Sequence, residues 1–187
     1  MNQRVGNIFE NRDEIIRLSK NCELYQEANE IKELIRNNYE LRDPFYITLS
    51  ELDQILRFKL RKQYGRQKKV RSKNEEQLVR RVTELALNID TGNKIYNDEI
   101  RTKILCCLRG INISTASAIL ALTYPEKYAI IDRRNWRYLN PDKPKTNFII
   151  GDYLKYLKIL RKLSEKYGIQ PQVIDMAIWE KEKTSNK

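Results

Sequence analysis

The sequence predicts an all-α fold on three observations. Glycine is scarce, with six in 187 residues. No stretch alternates apolar and polar residues with period two over a strand's length. Apolar residues instead recur at three- and four-residue intervals behind capping residues, the pattern of helices that bury one face.

The elements follow in order. A first helical region covers residues 12–38 through Ile15, Ile16, Leu18, Leu24, Ile31, Leu34 and Ile35, and Asp43-Pro44 closes it, because the residue before proline is pushed out of the helical region. Thr48-Leu49-Ser50-Glu51 is a capping-box pattern, followed by a helix with Leu52, Ile55, Leu56 and Leu60 on one face. Asn74 and Gln77 repeat that logic before Leu78, Val79, Val82, Leu85 and Ile89. A helix is expected from Asp98 to Leu108, with Ile100, Ile104, Leu105 and Leu108 inward. A turn at Arg109–Asn112 leads into a helix of small residues from Ser114 to Leu122, which Tyr124-Pro125 ends. Asp132 opens another helix, and residues 140–150 form a loop. The C-terminal helices lie within 152–182. The first of them is amphipathic over 152–167 through Tyr156, Leu157, Leu160 and Leu163, with Gly168 just past its end and Pro171 at the start of the second. The tail from Lys181, and 183–187 in particular, is expected to fray. No internal repeat and no long linker divides the chain, so 1–187 reads as a single domain.

Charge and missing residue types narrow the chemistry. Lys and Arg number 36 against 25 Asp and Glu, a net charge of +11, and there is no histidine. That excludes Ser-His-Asp and Cys-His catalysis and any His-containing zinc motif. Cys22, Cys106 and Cys107 are too few for a four-thiolate zinc or iron–sulfur site in one chain. They read as reduced thiols of a cytoplasmic protein, and the adjacent pair as packing residues. No apolar run approaches the ~20 residues of a membrane span, and residues 1–14 hold no signal-peptide core. The positive balance points to an anionic partner, nucleic acid or an anionic membrane surface.

The segment from Ile104 to Asp132 carries the most information. Gly110 takes positive φ without steric cost, and Asn112 tolerates it better than most residues. A tight turn there leaves backbone N–H groups free at the start of the following helix, and these suit a phosphate, with the Ser114 and Thr115 hydroxyls beside them. Ala116, Ser117 and Ala118 allow close helix approach. On the turn alone, an ordinary αα-hairpin accounts for the pattern equally well.

Adding Asp132 makes the pattern specific. Leu108-Arg109-Gly110-Ile111-Asn112-Ile113-Ser114-Thr115-Ala116 followed by Ile130-Ile131-Asp132 resembles the helix-hairpin-helix DNA glycosylase superfamily over about residues 100–140. The hairpin lies at about 98–122. The spacing from Thr115-Ala116 to Asp132 is similar to that of the adenine-excising branch, which also carries serine at the position of Ser114. More weakly, Arg57–Arg61, Ile130–Trp136 and Asp175–Trp179 resemble small bacterial relatives that lack the iron–sulfur cluster. Three departures stand out. Arg109 replaces the usual proline, Asn112 the second hairpin glycine, and Ser114 the lysine of the lyase branches.

The resemblance implies a two-lobed all-α fold and a monofunctional DNA glycosylase. Breaking an N-glycosidic bond builds positive charge on the sugar, which a carboxylate stabilises while orienting a water. Asp132 takes that catalytic role in this reading. It also suits a helix N-cap, and the two are compatible. Ser114 supplies no amine for a Schiff base, so an abasic site without efficient strand cleavage is the expected product, unless another lysine takes that place. The target base must be flipped out; Tyr25, Tyr46, Tyr64, Tyr128 and Trp136 are candidates for pocket or wedge, although plain core packing is the commoner fate of each. The substrate is a damaged or mismatched base in repair, or a hypermodified base such as a modified cytosine of phage DNA in antiviral defence.

DNA contacts are expected from Arg109, Gly110, Asn112, Ser114 and Thr115 at the hairpin, and from Lys59, Arg61, Arg66 and Arg134. Seven of the fourteen residues in Phe58–Arg71 are cationic (Lys59, Arg61, Lys62, Arg66, Lys68, Lys69 and Arg71). With Arg109, Arg133, Arg134 and Arg137 they form either a phosphate-binding face or a solvated surface. Lys59 falls on the apolar face of its helix and either snorkels past the core or reaches into a cleft. No metal or cofactor is expected beyond a monovalent cation on the hairpin backbone. The expected partner is double-stranded DNA, bound by a monomer without membrane contact. A non-catalytic helix-hairpin-helix DNA-binding protein and a basic membrane-surface or protein-interaction domain are the alternatives.

Overall fold

A computed structural model describes residues 8–185, and among them every regular element is helical. The first helical region is two helices rather than one, α1 (Arg12–Asn21) and α2 (Tyr25–Tyr39). Cys22 turns extended between them and is buried, a break that no glycine or proline announces. Helix α3 (Leu49–Leu60) opens on the expected capping box: the Glu51 N–H donates to Thr48 Oγ1 at 3.3 Å and the Thr48 N–H to Glu51 Oε2 at 2.8 Å. A 3-10 turn over Arg61–Gln67 and the short α4 (Lys68–Arg71) follow.

Helix α5 (Glu76–Asn88) departs from expectation. Asn74 does not cap it; Glu75 occupies the cap position without a side-chain bond. The Asn74 amide faces across the fold instead, donating to the Arg109 carbonyl and accepting from the Arg109 N–H, both at 2.9 Å. Leu78 and Leu85 lie outward, 41% and 57% exposed, because the buried face runs through Val79, Thr83, Ala86 and Leu87.

Helix α6 (Lys94–Leu105) starts earlier than Asp98, capped by Asn93, and ends before Leu108. Asp98 is inside it, buried against Arg161 at 2.5 Å. Helix α7 (Ile113–Thr123) is buried all round from Thr115 to Leu122, as a helix of apolar and small residues must be. It packs against α2, α3, α6 and α9 (Ile150–Tyr167). Helix α8 (Arg133–Leu139) precedes α9, and α10 (Pro171–Ser185) follows it. Gly168 closes α9 at φ +64°, its N–H on the Ser164 carbonyl at 2.9 Å. The expected fraying does not begin at Lys181: α10 continues through Ser185, with Lys181 paired to Glu14 of α1 at 2.7 Å. Residues 186–187 of the tail lie outside the described residues. Helix α1 packs along α10, so the two ends of the described chain meet.

Candidate active site

Asp132 is positioned by a short extended segment, Tyr128–Asp132, between α7 and α8. Buried backbone groups need partners, and here side chains of three helices supply them. The Ile131 N–H donates to Ser117 Oγ at 3.1 Å, and the Ile131 carbonyl accepts from Ser114 Oγ at 2.7 Å, so α7 grips both faces of that residue. The Ala129 carbonyl accepts from the Tyr153 hydroxyl at 3.2 Å, and the Ile130 N–H donates to Asp175 Oδ2 at 3.1 Å. The next residue, Asp132, caps α8: its Oδ1 accepts from the Asn135 N–H at 2.8 Å. The other oxygen, Oδ2, has no protein donor among the described residues, and the side chain lines a cleft.

That cleft has a volume of about 130 Å³ and is bounded by α3, α8, α10 and the turn between α1 and α2. Lys59 enters it from α3, beyond the buried Leu52, Ile55 and Leu56, so of the two expectations for this residue the cleft is the outcome. The residue is half-buried, and its ammonium donates to the Ile131 carbonyl at 3.4 Å. Burial pushes the ammonium below the ordinary lysine value, against the pull of the Asp132 and Asp175 carboxylates. No ion pair within 4.0 Å is made by Lys59 among the described residues.

Asp175, Phe58, Cys22 and Trp179 are among the other residues of its walls. Asp175 is buried at the base, where Asn135 Nδ2 at 2.6 Å, the Tyr156 hydroxyl and the Ile130 N–H all donate to it. Burial raises its carboxyl to about 7, against those hydrogen bonds and helped by the charge of Asp132. Burial pushes the Cys22 thiol up to about 11, so it remains a thiol. Trp179 and Asp175 were not legible as site residues. Their local signals are the resemblance carried by the segment Asp175–Trp179 and their spacing, four apart on one face of α10.

The hairpin has the expected turn with a different division of labour. Gly110 stands at φ +75°, and a Cβ there would lie 2.6 Å from Arg71 Cγ. Asn112 is extended at φ −113°, correcting its assignment to the left-handed region. It caps α7 by accepting from the Thr115 N–H at 3.0 Å, while Thr115 Oγ1 accepts from the Asn112 N–H at 2.8 Å. With Ser114 on Ile131, these three side chains hold the hairpin together. Among the described residues the Gly110, Ile113 and Ser114 N–H groups have no protein acceptor, so backbone donors are what the turn offers a ligand.

The basic residues divide. Arg109, Arg61 and Arg66 are exposed, with Arg61 paired to Glu27 and lining the cleft mouth. Arg71 leaves the expected cationic face: it is buried, stacked on Tyr64 at 4.7 Å and bonded to the Tyr64 carbonyl. Arg134 stacks on Trp179 at 4.1 Å and shares Glu182 with Arg137. None of Tyr25, Tyr46, Tyr64, Tyr128 and Trp136 lines this cleft; Tyr128 and Trp136 are core.

No three His, Cys, Asp or Glu side chains among the described residues are grouped to hold a metal, and no described helix is long and apolar enough to cross a membrane. Cys106 is half-buried, whereas Cys107 is exposed and does not take the expected packing role. The chain matches no family model, no curated protein sequence and no solved structure.

Proposed function

We propose that this chain is a two-lobed helix-hairpin-helix DNA glycosylase that removes a damaged, mismatched or hypermodified base from double-stranded DNA. The observation that carries the reading is Asp132: a carboxylate fixed as a helix cap, one oxygen free, facing a cleft and following the Ile131 carbonyl that Ser114 of the hairpin holds. A flipped nucleotide entering that cleft would place its sugar near Asp132, which stabilises the oxocarbenium-like transition state and orients a water onto C1′. Excision itself needs no amine and no metal. The free hairpin N–H groups would take a phosphate, and a monovalent cation on the hairpin backbone is compatible with that role. Exposed Arg109, Arg61 and Arg66 would add phosphate contacts along the strand. The enzyme acts as a cytoplasmic monomer in this reading, in repair or against phage DNA.

The test is release of a base. The purified protein is incubated with duplexes carrying uracil, 8-oxoguanine, alkylated purines or mismatched adenine, and with phage DNA bearing hydroxymethylated or glucosylated cytosine. Alkali-labile sites on one of these support the reading and name the base. Salt-dependent DNA binding with no alkali-labile site on any of them favours the non-catalytic DNA-binding protein. Liposome or protein binding that DNA does not displace overturns both.

A further inference from the structure

We infer that the groove between α2 and the turn after α7 is a second ligand site, and that it takes a nucleoside monophosphate. The inference does not rest on the glycosylase reading. The hairpin lies at the first turn of α7 and the groove at its last, about 16 Å further along the axis at the usual helical rise.

The groove has a volume of about 600 Å³, a size suited to a small molecule. One wall is a single face of α2, where Lys32, Arg36 and Tyr39 follow at i, i+4 and i+7. The other is the segment Leu122–Lys127, and Gln170, ahead of α10, also lines it.

Lys32 is half-buried, and burial pushes its ammonium below the ordinary lysine value. Its protein partner is neutral: it donates to Gln172 Oε1 at 3.1 Å. Gln172 is fully buried, its backbone N–H donates to the Pro125 carbonyl at 3.4 Å, and its Nε2 has no acceptor among the described residues. A buried amide left half unpaired is costly, and what this one does is hold Lys32 at the groove wall. A tether between α2 and α10 would account for that bond alone, and an uncharged donor would make it without desolvating a charge. Arg36, one turn on, is exposed. Neither Lys32 nor Arg36 makes an ion pair within 4.0 Å among the described residues.

Two adjacent cations without a carboxylate call for more than one negative charge. A phosphate monoester carries that at neutral pH and a carboxylate does not. The rest of the groove suits a flat ring. Tyr39 is backed by Phe45 and set edge-on to Tyr124 at 6.4 Å, yet remains 45% exposed. Ile35, Leu122 and Pro125 add apolar wall. Lys32 and Tyr39 stand about 10 Å apart along α2, the reach from phosphate to base in a mononucleotide. Of the two acids that line the groove, Glu126 is turned to Lys127 at 3.8 Å. Glu33 is exposed and outside any ion pair among the described residues, so it is the acceptor for sugar hydroxyls.

The experiment is isothermal titration calorimetry of the full chain with the common ribo- and deoxyribonucleoside 5′-monophosphates. Inorganic phosphate and the unphosphorylated nucleosides probe the two halves separately. One of the monophosphates should bind at a single site per chain, about tenfold or more tighter than inorganic phosphate or its own nucleoside. Lys32→Gln and Arg36→Gln should each weaken it by about tenfold, the loss of one charge-assisted hydrogen bond. Tyr39→Ala should weaken the nucleotide and leave the affinity for inorganic phosphate as it was. No binding of any monophosphate, inorganic phosphate binding as tightly as the nucleotide, or nucleotide affinity unchanged in Lys32→Gln and Arg36→Gln each overturns the inference. Binding that survives both variants and is lost in Lys59→Gln would place the nucleotide in the cleft beside Asp132, and overturns it too. Where Lys32→Gln does not fold, the exposed Arg36→Gln decides.

Discussion

Lys59 and Ser114 donate to the same oxygen, the Ile131 carbonyl, at 3.4 and 2.7 Å. One comes from α3 and the other from the first turn of α7, and the residue after their shared acceptor is Asp132. The hairpin and the cleft are therefore one mechanical unit. Removing the Ser114 hydroxyl loosens the backbone just before the carboxylate. Ser114→Ala should cost about 1 kcal/mol of stability, the usual net worth of such a bond. Excision should suffer in kcat rather than KM, since positioning and not binding is lost. Unchanged kcat with a lowered melting temperature would reduce Ser114 to a structural residue.

Gly110 and Arg71 make a second testable pair. A methyl group at 110 meets Arg71 Cγ at 2.6 Å, and the φ of +75° is strained for any L side chain. Arg71 has little room to retreat, being stacked on Tyr64 and bonded to its carbonyl. Gly110→Ala should therefore destabilise the protein by about 1–3 kcal/mol in denaturant unfolding. Adding Arg71→Ala should recover the steric part and leave the backbone part, a non-additive double-mutant cycle. Full additivity would show that the contact is relieved in solution.

Asn74 holds the hairpin from the opposite side. Its amide satisfies both backbone groups of Arg109, an arrangement only Asn or Gln can make. Asn74→Ala should cost about 1–3 kcal/mol, because two backbone groups lose their partner. It should also weaken DNA binding at constant salt, since Arg109 and the turn then move. A loss of stability with DNA affinity unchanged would separate the hairpin from binding.

Asp175 gives stability a pH dependence with a defined sign. Burial raises its carboxyl to about 7 in the folded protein, above the ordinary carboxylate value of an unfolded chain. The folded state thus holds the extra proton between about pH 4 and pH 7. The stability it contributes is complete below about pH 4 and is lost as pH rises through about 7. Asp175→Asn cannot titrate, so the unfolding free energy of the wild type minus that of the variant should fall across this window and level off above it. A difference that rises with pH would reverse the assignment.

The legible parts of this molecule are the ones encoded locally. Thr48 with Glu51, Gly110, Asp132, Gly168 and Pro171 each do what their immediate neighbours imply, because caps and left-handed turns depend on a few adjacent residues. The break at Cys22 was hidden, since burial of that side chain and not a helix breaker ends α1. Asn74 had the pattern of a cap, and a tertiary partner, Arg109, claimed it. Half of the candidate site was visible as Asp132 and Lys59. The other half, Asp175 and Trp179, stands on α10, and the packing of α10 on α1, α8 and α9 brings it there. Of the five candidate aromatics none lines the cleft, and Tyr128 and Trp136 are core, in line with plain packing: a residue's type does not say which neighbour it meets.

The most direct measurement is single-turnover base excision by the wild type and Asp132→Asn, on the duplex that the wild type processes best. Asparagine also caps helices, so the variant keeps the Asn135 N–H bond and the fold, and loses only the negative charge. Excision should fall by about a hundredfold or more, while the Kd for the duplex and the melting temperature stay near wild type. Excision at the wild-type rate by a folded Asp132→Asn, which still binds DNA, would contradict the catalytic role of Asp132 on which the account rests.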